Sequence, residues 1–168
     1  MRIRWWLAGA LAALLLPGVA SAQDVETKTF KDWIVRCAAT NKPPCTTYQR
    51  VANDKGQQIV EILLGYEPAE KRYPLRVELP LGIVLPPGVL LKVDEAAEFP
   101  NLAVTRCLSS GCLVELYVSE EMLTALRKGT KGAFVVRTAD GKAAALVFSL
   151  SGFSAAVEEL VGRNTAAQ

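Results

Sequence analysis

The chain has 168 residues, 51% apolar and 21% charged, which is about one globular domain's worth of sequence and excludes disordered and collagen-like classes. It contains no histidine, so a Ser-His-Asp triad, a Cys-His dyad, histidine-ligated zinc and an imidazole general base are excluded. The formal charge is only +2.

Residues 1–22 carry Arg2 and Arg4, an apolar run over 5–16, a Pro17-Gly18 break, and Ala20-Ser21-Ala22, the small-x-small pattern read by signal peptidases. The apolar run falls short of the roughly 20 residues that cross a bilayer. It therefore reads as a signal peptide cleaved before Gln23. A single domain over 23–168 is expected to be periplasmic or secreted, with no transmembrane anchor after cleavage. Of the 19 basic residues two lie in the signal, and the remaining 17 equal the 17 acidic residues. A neutral mature chain without a basic run offers no case for nucleic acid as a partner.

Along the mature chain, residues 29–37 alternate so that Trp33, Val35 and Cys37 share one face, a strand pattern that puts Trp33 in the core. Residues 38–44 read as a loop, 46–52 and 57–66 as strands, and Asn53-Asp54-Lys55-Gly56 as the hairpin turn between them. Strict alternation from Leu75 to Ile83 predicts one long strand, in which Pro80 marks an edge or a bulge. Pro86-Pro87-Gly88 is a turn, 89–93 a strand, 94–100 a polar connection, and 102–107 and 113–118 two more strands. Ser119, Glu120, Glu121, Arg127, Lys128 and Gly129 are placed as the cap, charges and stop of a helix over 120–128. Strands over 133–138 and 143–150 meet at Asp140-Gly141. A second helix runs from about 152 to 161 with Ser151 as cap, and 163–168 reads as a frayed tail.

Cys37 and Cys45 are separated by seven residues and Cys107 and Cys112 by four. Four cysteines allow three pairings, and in an oxidising compartment the local one, Cys37–Cys45 with Cys107–Cys112, closes the smallest loops. A four-cysteine zinc site and a redox pair are the alternatives, but only Cys107 and Cys112 reach the edge of the usual zinc-knuckle spacing, and C-x-x-C is absent. Many short strands with two short helices indicate a mainly-β sandwich.

Trp33-Ile34-Val35-Arg36-Cys37, Cys45 with Gln49, the run from Leu79 to Gly88, Arg106-Cys107 through Gly111-Cys112, and the stretch from Phe148 to Ala156 occur in an order that resembles the invasion-associated locus B family. The resemblance spans Trp33 to about Leu160. It implies an exported bacterial envelope protein with an immunoglobulin-like β-sandwich, in a family with some members linked to host-cell entry. It supplies no catalytic residue.

Two contact patches are conceivable. Leu85, Pro86 and Pro87 form an apolar turn, which reads first as a packed sandwich corner and second as a surface for a partner. Tyr66 and Tyr73 bracket the mixed-charge stretch Glu67, Glu70, Lys71 and Arg72, which reads first as a solvated loop and second as a recognition loop. No catalytic, cofactor-binding or metal-binding residue is singled out. The expected function is non-enzymatic binding of an envelope or host-cell protein, through an exposed sheet edge or loop end. The alternative is a cell-envelope hydrolase using two carboxylates from among Asp94, Glu95, Glu98, Glu115, Glu120 and Glu121.

Overall fold

The computed structural model describes residues 25–39 and 42–166. The expected signal peptide lies outside them. The strands are β1 (Thr27–Phe30), β2 (Trp33–Ala39), β3 (Lys42–Ala52), β4 (Gln58–Gly65), β5 (Pro74–Leu79), β6 (Val89–Val93), β7 (Ala97–Leu102), β8 (Val104–Cys107), β9 (Cys112–Tyr117), β10 (Lys131–Arg137) and β11 (Ala143–Ser149). The helices are α1 (Glu120–Lys128) and α2 (Phe153–Thr165). A seven-stranded antiparallel sheet, β1-β2-β3-β4-β5-β9-β8, faces a four-stranded one, β11-β10-β6-β7. This is the mainly-β sandwich with two helices that the strand pattern predicts.

The core follows from period-2 alternation. Trp33, Val35 and Cys37 from β2, Val60, Ile62 and Leu64 from β4, and Leu75, Val77 and Leu79 from β5 all turn inward. Leu91, Phe134 and Phe148 from the small sheet meet them, and α2 brings Phe153, Val157 and Leu160 against the β1–β3 half that the small sheet leaves open. Gln49 ties the two sheets together: its side-chain amide donates to Asp32 O and Ser149 O, and its carbonyl accepts from Ser149 N–H. A buried amide with these partners carries no unsatisfied polar penalty.

Several boundaries differ from the sequence reading. The strand expected over 29–37 is two strands, because Lys31 takes a left-handed φ of 53° and turns the chain between β1 and β2. The loop expected over 38–44 is mostly strand, since β2 runs to Ala39 and β3 starts at Lys42. Cys37 and Cys45 therefore sit directly opposite each other across a hairpin. They form one disulfide and Cys107–Cys112 the other, also between register partners.

The strand expected over 75–83 stops at Leu79. Pro80 is no edge marker: β5 lies between β4 and β9, and a residue without an N–H ends such a central strand. Leu81 is consequently out in solvent, at 53% exposure. The polar connection expected over 94–100 contains β7, where Ala97 and Phe99 pack on the core while Glu98 and Pro100 face out. The strand expected over 102–107 is divided at Ala103, where the chain passes from the small sheet to the large one.

Helix α1 begins as expected, the Ser119 hydroxyl accepting from Met122 N–H, but Gly129 closes it in extended backbone, not left-handed. Its lack of a side chain matters for packing, because a Cβ there would come within 2.5 Å of Val93 and 2.8 Å of Leu150. Helix α2 has Gly152 as its cap, not Ser151. The tail expected over 163–168 is helical to Thr165, and Asn164 is buried: it accepts from Cys45 N–H at 2.9 Å and donates to Cys45 O at 3.1 Å.

Asp94, at φ 49° after β6, accepts hydrogen bonds from Thr130 N–H, Thr130 Oγ1 and Lys131 N–H. The Thr130 backbone bond, then its hydroxyl, then Lys131 N–H hold the carboxyl below the ordinary range. Lys28, then Arg163, do the same for Glu159 on α2. Stability from a depressed carboxyl is present above the unfolded pKa of about 4 and is lost as pH falls through the lower folded value. Thermal melting is thus expected to fall below about pH 4. Asp94→Asn should flatten part of that fall, and an identical acid profile for variant and parent would count against the clasp.

Candidate functional site

The large sheet's inner face is covered by the small sheet and α2, and among the described residues no helix or second sheet covers its outer face. The β-register sets out that outer face row by row. Arg36 stands opposite Thr46, Thr46 opposite Gly65, and Pro74 opposite Tyr117. In the next row Tyr48 stands opposite Leu63, Leu63 opposite Arg76, and Arg76 opposite Glu115.

Gly65 has no side chain, and the ring of Pro74 lies over it. The face is therefore hollowed between Thr46 and Tyr117. The result is an open trough of about 410 Å³ with Leu63, Gly65 and Pro74 on its floor and Arg76, Glu115 and Tyr117 around it. Tyr117 is 51% exposed, with the Arg72 guanidinium 4.2 Å from its ring centre. Glu115 is fixed by both Arg106 Nη atoms, at 2.6 and 2.9 Å, and by the Thr105 hydroxyl at 2.9 Å. Arg76 reaches Glu61 only at 4.0 Å, so it is loosely tethered.

Tyr66 and Tyr73 close the β4–β5 hairpin at this end of the sheet. Their rings lie 4.9 Å apart, and both are half-buried against the core. The stretch between them is tied into a tight turn and is less free than the solvated loop expected: Glu67 pairs with Arg72 through the backbone and through a 2.9 Å ion pair. Leu85, Pro86 and Pro87 lie beyond the other end of β5. Gly88 N–H closes their turn on Leu85 O. Leu85 is 44% exposed and both prolines are exposed, so this segment faces solvent and is not the packed corner expected. The strand's length keeps it apart from the tyrosine pair.

The carboxylates considered for hydrolysis do not come together. Asp94 is clasped by Thr130 and Lys131, Glu98 pairs with Lys92, Glu115 is held by Arg106, and Glu120 and Glu121 occupy the first turn of α1. Glu95 lies exposed in the β6–β7 turn. Sequence reading missed Glu61, which the register sets opposite Glu78. Glu61 is buried, pairs with Arg50 and is approached by Arg76, while Glu78 packs where a Gly111 side chain would stand. Among the described residues no group of three or more Cys, Asp or Glu side chains is placed to hold a metal ion, and no helix is long and apolar enough to cross a membrane. Tyr117 and Arg76 were also missed, their signal being the alternation that puts them on the outer face.

Residues 33–161 match the family model described as invasion associated locus B (IalB) protein. The chain belongs to the invasion-associated locus B family. Invasion protein B homologs from two strains of Brucella abortus are each 29% identical over 154 residues, covering 90% of this chain and 86% of theirs. The crystal structure of invasion associated protein b from Bartonella henselae superposes with a TM-score of 0.74 at 24% identity, over 82% of this chain and 96% of that one. The invasion-associated locus B match begins at Trp33 and ends on α2, so it includes every strand except β1, and the trough.

Proposed function

We propose that this invasion-associated locus B protein is an exported, periplasmic or secreted protein that works by binding a protein partner of the envelope or of a host cell, without turnover. The observation that carries the reading is the trough on the open face of the large sheet. An apolar floor rimmed by Arg76 and by Tyr117, whose ring carries the Arg72 guanidinium, has the composition of a protein-binding hot spot, in which tyrosine and arginine are enriched. The carboxylates tied to cations and backbone donors agree with binding. The relatives named for invasion support a host-cell partner.

Affinity capture from bacterial envelope and from host-cell surface, with the protein and its Tyr117→Ala and Arg76→Ala variants, tests this. Both positions are substantially exposed, so melting should change little, while the dissociation constant for a captured partner should rise about tenfold or more for each variant. Capture unaffected by either substitution would remove the trough from consideration.

A further inference from the structure

The two sheets have four edge strands, and three of them are defended against pairing with another chain. β1 has four residues and carries Lys28. β8 also has four, with Arg106, a bulge, and the Cys107–Cys112 bridge at its end. β7 carries Glu98 and Pro100 and meets an irregular register. β11 has none of these devices: Ala143-Ala144-Ala145-Leu146-Val147-Phe148-Ser149 is seven residues without charge, proline or bulge. An exposed apolar edge of this kind is a template for strand addition.

Which of its backbone groups are free follows from the hairpin. Thr138 N–H donates to Lys142 O, and Leu150 N–H to Thr130 O. Even-numbered β11 residues therefore bond to β10, and odd-numbered ones point their N–H and C=O outward. At Ser149 these are taken, the N–H by Gln49 and the C=O by Trp33 Nε1 and Gln49. Ala143, Ala145 and Val147 remain, three donors and three acceptors symmetric about Ala145, with all three side chains exposed.

We infer that this edge pairs with the β11 edge of a second copy of the chain, antiparallel and centred on Ala145. In that register Ala143 stands opposite Val147 and Ala145 opposite itself. All the free donors of each copy then meet the free acceptors of the other. The one bulky outward side chain, Val147, is matched to alanine, and no charges face each other. Where the edge is closed, at Ser149, the second copy has already reached Gly141 and turned away, whereas a longer strand would run on against groups that are already occupied. A concavity of about 520 Å³ beside that position, between Val147, Ser149, Arg50 and Val51, has room for the turn.

Sedimentation of the purified protein tests the inference without involving the trough or its partner. At micromolar and higher concentration the mass should be that of two chains. Ala145→Lys and Ala145→Glu each place like charges opposite one another and should each give the mass of one chain, with dissociation constants raised at least about tenfold. An equimolar mixture of the two should return to the mass of two chains. Amide exchange should show Ala143, Ala145 and Val147 protected at high concentration and not on dilution, a readout that needs no variant. A single-chain mass for the unsubstituted protein throughout, a pair that survives both substitutions, or a mixture that stays single would each overturn it. Capture through Tyr117 stands or falls separately.

Discussion

Trp33→Ala is expected to destabilise the protein by about 3–5 kcal/mol. The side chain is 1% exposed, its ring meets Phe153 edge-on at 4.9 Å, and its Nε1 donates to Ser149 O at 3.0 Å. It thus joins the large sheet, the last strand and α2. The surrounding core, with Leu64, Leu91, Phe134 and Phe148, encloses a void of only about 10 Å³, so there is little slack by which neighbours can refill the space. Urea unfolding followed by far-ultraviolet dichroism measures the loss. A cost below about 1 kcal/mol would mean that the ring is not packed as described. In the chain lacking residues 1–22 Trp33 is the sole tryptophan, and its emission should be blue-shifted in the native state and move to the red on unfolding.

Gly152→Ala is the second large effect. Gly152 has φ 90°, a region that costs an L-residue about 1–2 kcal/mol. A Cβ there would stand 1.9 Å from Phe30 O, which is backbone and cannot swing aside. Strain and displacement together should cost about 2–5 kcal/mol. By contrast Gly141→Ala, with φ 82° but nothing within 4 Å of the new atom, should cost only the conformational part. Parallel melting curves compare the two, and equal losses would show that the contact with Phe30 is not made.

What was readable in the sequence was whatever local spacing encodes. The inward faces of β2, β4, β5 and β9, the turns at Asn53 and Asp140, and the span of α1 with its Ser119 cap all rest on periodicity or on a cap residue next to its helix. What escaped depends on distant partners. Asn164 reads as a polar residue in a fraying tail until Cys45, 119 positions away, supplies its hydrogen bonds. Pro80 reads as an edge marker only while the neighbours of β5 are unknown. The trough was not legible: Tyr66 and Tyr73, which stand out by composition, pack against the core beside it, and the hollow depends on Gly65 lying between Thr46 and Pro74, a matter of cross-strand register. The Leu85 turn was misjudged because apolar residues next to strands suggest burial, whereas here the strand has already ended at Leu79.

Helix α2, at the end of the chain, covers strands made from its beginning, and this has a bearing on the order of events in folding. The contacts that close that half of the core, Trp33 to Ser149, Gln49 to Ser149 and Asn164 to Cys45, join residues 116, 100 and 119 positions apart. A chain emerging N-terminus first can form the β2–β3 and β3–β4 hairpins early, but their apolar faces stay wet until the final helix is available. Contacts of such long separation slow the closing step, because loop entropy is lost before packing compensates for it. The β1–β3 half of the core therefore stays open until α2 is made, and a truncation that removes Asn164 is expected to leave it without the hydrogen bonds to Cys45.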